Sequence, residues 1–230
     1  MKNYTWQIIA MVAVIAVGVS IVYSNSVSNK ANEGISFEKH IRGNAEAKVV
    51  ITEYSDFQCP ACGQFFNILE TVLAEKGDDV QLEYKHFPLT SIHPFAIPAA
   101  KASEAAGQQG KFFEMHDKLF QNQQIWSKGP NPNSYFMKYA QDIGLDMALF
   151  KTHMKASIIN DKISDEFKEA RALGLGSTPS FFLNGVPMQF ESYQGFIDQV
   201  DSAISKTKTS VTGNQEVKNT DTTEEVRFGF

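Results

Sequence analysis

Phe57-Gln58-Cys59-Pro60-Ala61-Cys62 is the stretch that decides the fold, because it holds both cysteines of the 230-residue chain at a Cys-x-x-Cys spacing. The run before it, residues 49–54, is β-branched and apolar and predicts a buried strand. The apolar residues after it recur at three- and four-residue steps and predict a helix with one apolar face: Phe65, Ile68, Leu69, Val72 and Leu73. The cysteines therefore lie where a strand is followed by a helix.

This location suits redox chemistry, since a helix N-terminus offers unpaired N–H groups and a positive dipole end to a thiolate. Pro60 fits the first helical position, where a missing N–H costs nothing, and makes Cys59 the N-cap. We predict Cys59 as the nucleophile and Cys62 as the buried partner that attacks the mixed disulfide and releases the substrate. Two other readings are a structural disulfide and half of a zinc site. Zinc would need two more ligands such as His86 and His93, whose spacing matches no common pattern.

Composition narrows the class of protein. The chain is 43% hydrophobic, which is enough for the core of one domain of ordinary size, with room for an inserted subdomain. The formal net charge is -5 and no basic block is present, so we expect no nucleic-acid partner. Two cysteines cannot form a disulfide scaffold of the small secreted kind, and their use is therefore local.

The N-terminal segment predicts the compartment. Residues 8–22 form a run of fifteen uncharged, almost wholly apolar residues behind Lys2. Counted out to Tyr4, Trp6 and Tyr23, the segment has about the length that a membrane-spanning helix needs. We favour an uncleaved anchor over a cleaved signal peptide, since no Ala-x-Ala type site follows. Lys2 on the inner side then places the remainder outside the cytoplasm, where a disulfide persists.

The rest of the chain gives a strand, a helical block, a hairpin and a final helix. A second strand is predicted at 80–84, parallel to the first because a helix connects the two. Helices are predicted at 98–106, 111–122, 134–143 and, with interruptions, 147–173. Asn184-Gly185 between two apolar runs, 180–183 and 186–190, predicts a hairpin, and a helix follows at 193–204.

With these parts in order the chain resembles a thioredoxin fold, and the helical insertion makes it similar to the DsbA-like family of extracytoplasmic thiol:disulfide oxidoreductases. The resemblance covers about 41–204. Four motifs carry it: Glu-Tyr-Ser-Asp-Phe-Gln-Cys-Pro-Ala-Cys at 53–62, Tyr-Lys-His-Phe-Pro-Leu at 84–89, His93-Pro94, and Thr178-Pro179. One departure is Ala61, which stands where the best-known oxidases of the family have His, and it weakens the expectation of strong oxidising power.

The resemblance implies an α/β, thioredoxin-like fold with an inserted helical subdomain. Together with the composition of the two ends of the chain, it predicts six segments. The expected divisions are a membrane anchor or signal segment (1–23), a linker (24–40), the N-terminal half of the thioredoxin-like fold (41–89), the helical insertion (90–174), the C-terminal half (175–205), and a polar, disordered tail (206–230).

The same resemblance assigns roles to residues around the cysteines. Glu53 is similar to the family's buried acid, whose pKa is raised by burial and which shuttles the proton of Cys62. The alternative is a carboxylate that faces solvent at a strand edge. Pro179 is expected to follow a cis bond, with the Thr178 backbone presented to an extended substrate. Pro60 and Ala61 support the active site between the cysteines.

Two histidines and the aromatic residues of the insertion each allow two interpretations, one functional and one structural. His86 and His93 lie near the site or, more simply, are hydrogen-bonded structural histidines. The aromatic residues of the insertion line a peptide-binding groove or form a helical core: Phe112, Phe113, Phe120, Trp126 and Phe136.

The function implied is an enzyme that forms disulfides in secreted polypeptides by exchange through Cys59 and Cys62. It would act outside the cytoplasm, in the periplasm or at the cell surface, and it would use the cysteine pair without a bound metal or other cofactor. Its partners would be reduced or unfolded secreted chains and a quinone-linked membrane protein that reoxidises it. The alternatives are a reductase or isomerase of the same fold, and a non-catalytic, chaperone-like binding module with a structural disulfide.

Overall fold

The apolar run before the cysteines forms the middle strand of a five-stranded sheet in the computed structural model, which describes residues 2–218. The strands are β1 (His40–Gly43), β2 (Val49–Ser55), β3 (Val80–His86), β4 (Ser180–Leu183) and β5 (Val186–Pro187). Their order across the sheet is β1-β3-β2-β4-β5. β1 pairs with β3, β2 with β4, and β4 with β5, each in antiparallel fashion. The predicted strands at 49–54 and 80–84 are confirmed as neighbours in one sheet.

Helices fill most of the remaining described chain. They are α1 (Lys2–Asn32), α2 (Pro60–Lys76), α3 (Ala96–Gly107), α4 (Phe112–Gln121), α5 (Gln123–Trp126), α6 (Pro132–Asp142), α7 (Met147–His153), α8 (Ser157–Ala172) and α9 (Tyr193–Lys218). The run from α3 to α8 contains no strand and confirms the prediction of an inserted helical block. The helix predicted at 147–173 is interrupted between α7 and α8, as its sequence indicated.

The chain divides into two compact units. The helical unit comprises Met1–Glu38, Asp56–Gln58 and His86–Gly174, and the sheet unit comprises Lys39–Ser55, Cys59–Lys85 and Leu175–Phe230. The boundaries between them interrupt the motif around the cysteines. Asp56, Phe57 and Gln58 belong to the helical unit, whereas Cys59 begins the next segment of the sheet unit.

The sheet unit has a core between the sheet and two helices. α2 contributes Phe65, Leu69 and Val72, which are three or four residues apart and therefore share one face of the helix. α9 contributes a second apolar face: Phe196, Val200 and Ile204. The strands contribute Val49, Ile51, Val80, Leu82 and Phe181. Each such side chain contributes roughly 1.5–3 kcal/mol when fully buried, so this core holds the strand and the cysteine-bearing helix together.

Aromatic side chains form the core of the helical unit. Trp126 and Phe136 are fully buried, with ring centroids 5.2 Å apart. Phe112 and Phe120 are buried as well, and only Phe113 of the predicted set is partly exposed. The core interpretation of these aromatic residues is confirmed for four of them, and those four do not line an open groove.

The N-terminal segment differs from its prediction. α1 continues to Asn32, so residues 24–32 are helical where a linker was predicted. Within residues 2–218, none of the helices combines the length and the apolarity that crossing a bilayer requires. The membrane anchor predicted in residues 1–23 is therefore not confirmed.

The C-terminal segment also differs. α9 continues to Lys218, so residues 206–218 are helical and the prediction of disorder from residue 206 is wrong there. Near the start of this continuation Lys208 Nζ lies 2.6 Å from Asp79 Oδ2, and the Thr207 hydroxyl donates to the Ile204 carbonyl at 2.7 Å. The rest of the predicted disordered tail, 219–230, lies outside the described residues.

Candidate active site

Cys59 is the N-cap of α2, as predicted. Its backbone is extended, with φ -71° and ψ 121°, and Pro60 occupies the first turn of the helix. Pro60 fixes its own φ near a helical value and has no N–H to leave unpaired, so the helix begins at this point. The N–H groups of the next residues then point toward the cysteine side chain.

The two cysteines differ in access. Both are present as thiols. Cys59 is 7% exposed and Cys62 is 0% exposed, so a reagent from solvent reaches Cys59 first. Pro60 and Ala61, which separate them, are exposed. This arrangement fits the predicted order, with an accessible first sulfur and a buried second one.

The surroundings of Cys59 stabilise its thiolate. Hydrogen bonding from the Cys62 thiol, against the opposing effect of burial, lowers the pKa of Cys59 from 9.0 to about 5. The Thr178 side chain and the backbone N–H groups of Cys62 and Ala61 act in the same direction. At pH 7 a thiol with a pKa of about 5 is roughly 99% ionised. Cys59 is therefore a nucleophile at neutral pH although no histidine stands beside it in the motif.

The loop before β4 meets Cys59. The Thr178-Pro179 bond is cis, as predicted. Antiparallel pairing aligns Tyr54 of β2 with Ser180 of β4, so this loop lies at the same end of the sheet as the start of α2. Cys59 Sγ lies 3.4 Å from the carbonyl oxygen of Thr178. Thr178 Oγ1 is buried and has no hydrogen-bond partner within residues 2–218, which leaves its hydroxyl able to donate to a Cys59 thiolate.

Glu53 is buried in the sheet. It lies on β2 opposite Phe181 of β4 and is 1% exposed, so the reading of a solvent-facing carboxylate is wrong. Burial raises the pKa of Glu53 to about 7, the Ser55 side chain partly offsets this effect, and the charge of Cys59 adds to it. A carboxyl group with this pKa gains and loses a proton near neutral pH.

His86 and His93 belong to the helical unit, and each lies against a carboxylate. His86 Nε2 is 3.0 Å from Glu104 Oε1, and Lys162 Nζ is 2.8 Å from the same oxygen. His93 Nδ1 is 2.7 Å from Asp56 Oδ2. Because the two histidines have different acidic partners, the structure favours the reading of hydrogen-bonded structural histidines.

Asp56 is the residue that sequence reasoning missed. Its carboxylate is buried and accepts hydrogen bonds from the backbone N–H groups of Gln58 and Leu89 as well as lying against His93. The sequence did contain a signal for a role of Asp56, because it is an acidic residue that directly follows an apolar strand and lies three residues before Cys59.

Comparison with known proteins identifies the family. A family model described as thioredoxin matches residues 36–201, which is more than half of the chain. The chain belongs to the thioredoxin family. Among solved structures, this thioredoxin-family protein is similar to a thioredoxin-like oxidoreductase from Silicibacter pomeroyi DSS-3, at 26% identity and a TM-score of 0.61, over 72% of this chain and 91% of that one.

A second solved structure shares the fold of this chain. Wolbachia pipientis alpha-DsbA1 has the same fold, with a TM-score of 0.65 at 19% identity, over 77% of this chain and 96% of that one. The thioredoxin-family fold of this chain is thus of the DsbA-like type, as its motifs predicted.

A curated relative extends beyond this chain. The Na(+)/H(+) antiporter NhaA 1 of Mycobacterium sp. (strain KMS) is 40% identical over 150 residues, which are 64% of this chain and 23% of the antiporter. The chain therefore spans less than a quarter of the length of that relative.

Proposed function

We propose that this protein is an extracytoplasmic thiol:disulfide oxidoreductase that forms disulfides in secreted polypeptides. The observation that carries the proposal is the low pKa of Cys59, about 5, at the N-terminus of α2 and against the loop that contains the cis bond. A stabilised thiolate stabilises the reduced protein, and a protein with a stable reduced form is an oxidant.

The reaction proceeds by two exchanges of sulfur. A substrate thiolate attacks Cys59 Sγ of the Cys59–Cys62 disulfide, the S–S bond breaks, and Cys62 leaves as a thiolate. A second substrate thiolate then attacks the substrate sulfur of the mixed disulfide, which forms the substrate disulfide and releases Cys59 as a thiolate. Two electrons pass from the substrate to the protein, and the low pKa of Cys59 makes it a good leaving group.

Glu53 supplies the proton in this scheme. The leaving Cys62 is fully buried, and a buried thiolate is costly until it is protonated. Glu53 is buried in the same unit and has a pKa of about 7, so its neutral carboxyl can give up the proton and regain it later.

Thr178 and Pro179 hold the substrate. The backbone groups of Thr178 lie beside Cys59, and an extended peptide paired with them would bring its own cysteine to the reacting sulfur. Pro60 and Ala61 form the exposed surface between the cysteines, where their small size leaves room for a polypeptide.

The compartment and the reoxidising partner complete the proposal. A redox disulfide persists in an oxidising compartment, and the apolar residues 8–22 behind Lys2 support export from the cytoplasm. Turnover requires an acceptor for the two electrons, which we propose to be a quinone-linked membrane protein. The cysteine pair itself is the redox group, and no metal or nucleotide enters the scheme.

The test is an equilibrium titration of the cysteine pair against glutathione mixtures of known ratio. We expect a potential nearer that of DsbA, about -120 mV, than that of thioredoxin, about -270 mV. A potential at the thioredoxin end would contradict the oxidase and make the protein a reductase or isomerase.

Two variants test the exchange itself. Cys62→Ser should trap a mixed disulfide when its Cys59 thiolate attacks a disulfide of an oxidised substrate protein, because one substrate cysteine leaves as a thiolate and the Cys62 thiol that would release the other is missing. Cys59→Ser should abolish disulfide formation in that substrate. Unchanged rescue of folding by Cys59→Ser would instead indicate a chaperone-like binding module.

A further inference from the structure

The tripeptide Asp56-Phe57-Gln58 directly precedes Cys59 in the chain. It belongs to the helical unit, whereas the residues on either side of it, Ser55 and Cys59, belong to the sheet unit. Its last peptide bond is the one to Cys59. Whatever fixes the tripeptide therefore fixes the backbone from which the Cys59 side chain extends.

Asp56 makes more contacts than a local turn requires. Its Oδ1 accepts a hydrogen bond from the Gln58 N–H at 2.8 Å, which is the usual bond of an Asp in a tight turn. Its Oδ2 accepts one from the Leu89 N–H at 2.8 Å and lies 2.7 Å from His93 Nδ1. The two contacts of Oδ2 join residues far apart in sequence, and the Asp56 carboxylate is fully buried. These contacts therefore attach the turn to the segment after β3.

The other two residues of the tripeptide are attached in the same way. The Phe57 carbonyl accepts a hydrogen bond from Gln123 Nε2 at 2.8 Å, and Gln58 Oε1 accepts one from the Phe95 N–H at 2.7 Å. Each residue of the tripeptide is thus bonded to a separate point of the helical unit. Hydrogen bonds to a charged carboxylate are about twice as strong as neutral ones, so Asp56 carries the largest share of this attachment.

We propose that Asp56, held by His93, is a positioning residue for Cys59. The proposal rests on the function proposed above and deepens it. The pKa of Cys59 depends on hydrogen bonds to its sulfur from the N–H groups of Ala61 and Cys62 and from the Thr178 side chain. These bonds form only when the Cys59 side chain points in the right direction. Asp56, held by His93, fixes the Phe57–Gln58 peptide through the Gln58 N–H, and this peptide directly precedes Cys59 and restricts the direction of its side chain. Asp56 and His93 act through the backbone and take no part in the exchange of sulfur.

The test compares variants of the reduced full-length chain. Asp56→Asn puts an N–H group where one of the two accepting oxygens now lies, and His93→Leu removes the side-chain donor. For both we expect a higher Cys59 pKa, read from thiolate absorbance near 240 nm against pH. We also expect alkylation by iodoacetamide at pH 5 to be about threefold slower, since less thiolate is present.

A conservative variant and a matched control separate positioning from loss of stability. His93→Asn retains a donor near the place of Nδ1 and should return the Cys59 pKa and the alkylation rate to within about twofold of wild type. Asp146→Asn is the control: Asp146 Oδ1 also accepts two backbone N–H groups in the helical unit, from Ala148 and Leu149, at the start of α7. It should lower the unfolding midpoint and leave Cys59 unchanged.

Two outcomes would overturn the inference: a wild-type thiol pKa in Asp56→Asn and His93→Leu, or an equal shift in Asp146→Asn. If Asp56→Asn does not fold, His93→Leu decides alone, because the His93 side chain is 14% exposed and tolerates replacement better. A depressed pKa that neither variant moves refutes the positioning role only. An ordinary thiol pKa in the wild-type protein refutes the proposed oxidase itself.

Discussion

Cys59 shows how a thiolate is stabilised without a histidine in the motif. The donors that lower its pKa are the Cys62 thiol, the Thr178 side chain and two backbone N–H groups, all of which belong to the sheet unit. Ala61 offers only its backbone. The chemistry of the pair at neutral pH therefore depends on the geometry of the helix start and of the loop that contains the cis bond.

Thr178→Val tests the contribution of the loop. Valine keeps the shape of threonine and removes the hydroxyl, so we expect the pKa of Cys59 to rise above 5 and the protein to become a weaker oxidant. Thiolate absorbance against pH and titration with glutathione measure both. Thr152→Val is the control, because the Thr152 hydroxyl bonds a carbonyl of its own helix in the helical unit. An unchanged pKa in Thr178→Val would show that the backbone groups suffice.

Glu53→Gln tests the buried acid through stability. The native pKa of Glu53 is about 7 against an ordinary 4.5, so its favourable contribution is complete below pH 4.5 and is lost as the pH rises through 7. Glutamine does not titrate. At pH 8 the free energy of unfolding of the variant should therefore exceed that of wild type by up to roughly 3 kcal/mol, so the variant is the more stable protein. Below pH 4.5 this difference should vanish.

Urea denaturation across this pH range measures the Glu53 effect. Exposed Glu75→Gln should show no such change, since its side chain is 64% exposed. A wild-type pH dependence in Glu53→Gln would contradict the raised pKa. The same variant should also form mixed disulfides with substrate more slowly, because Glu53 supplies the proton to the leaving Cys62 in the first exchange.

Contiguity revealed the residues around the cysteines, whereas the resemblance to the family revealed Thr178 and Pro179. Cys59, Pro60 and Cys62 lie within four positions of one another, and Glu53 lies on the strand that leads to them. The role of Asp56 could not be read in this way. Its partners Leu89 and His93 are 33 and 37 residues away, and only the folded chain brings them to the turn.

At the scale of elements, the β4–β5 hairpin is the best test of a sequence signal. Asn184 has a positive φ of 51° and Gly185 one of 79°, as the tight Asn-Gly turn requires. Asn184 Oδ1 also accepts a hydrogen bond from the Val50 N–H at 2.7 Å, which ties the turn to β2. Asn184→Ala loses both properties and should cost roughly 1–2 kcal/mol of unfolding free energy.

A second variant separates the contribution of the positive φ from that of the hydrogen bond to the Val50 N–H. Asn184→Gly keeps the freedom to adopt a positive φ and loses only the acceptor, so it should lie between wild type and Asn184→Ala. Chemical denaturation of the three proteins gives the order. Equal stability of wild type and Asn184→Ala would contradict the role of the turn.

The sequence did not predict the elements that lack a periodic pattern of apolar residues. β1 has four residues, His-Ile-Arg-Gly, which are too few to show an alternation, and it is a strand because it pairs with β3. α9 runs past residue 206 although its sequence there is polar and rich in threonine. In that part Lys208 lies 2.6 Å from Asp79, a residue distant in sequence. Tertiary contacts such as this one and the pairing of β1 with β3 are not encoded in the local sequence.

At the scale of the whole molecule, oxidation state and stability are linked through Cys59. Its pKa is about 5 in the folded reduced protein and 9.0 in its ordinary state. A depressed pKa gives stability that is complete above pH 9 and is lost as the pH falls through 5. The oxidised protein has no thiol at this position and so lacks this contribution at every pH.

We therefore expect the reduced protein to gain stability over the oxidised protein as the pH rises from 5 to 9. Urea denaturation of both forms at several pH values gives the difference in unfolding free energy. The disulfide constrains the unfolded chain equally at each pH. Because the charge of Cys59 also raises the pKa of Glu53, both forms are compared in the Glu53→Gln background, where the slope of the difference with pH reports Cys59. Cys59→Ala under reducing conditions is the control and should lose this slope. A constant difference between the two forms would mean that folding does not stabilise the thiolate, and the proposed oxidant would then lack its driving force.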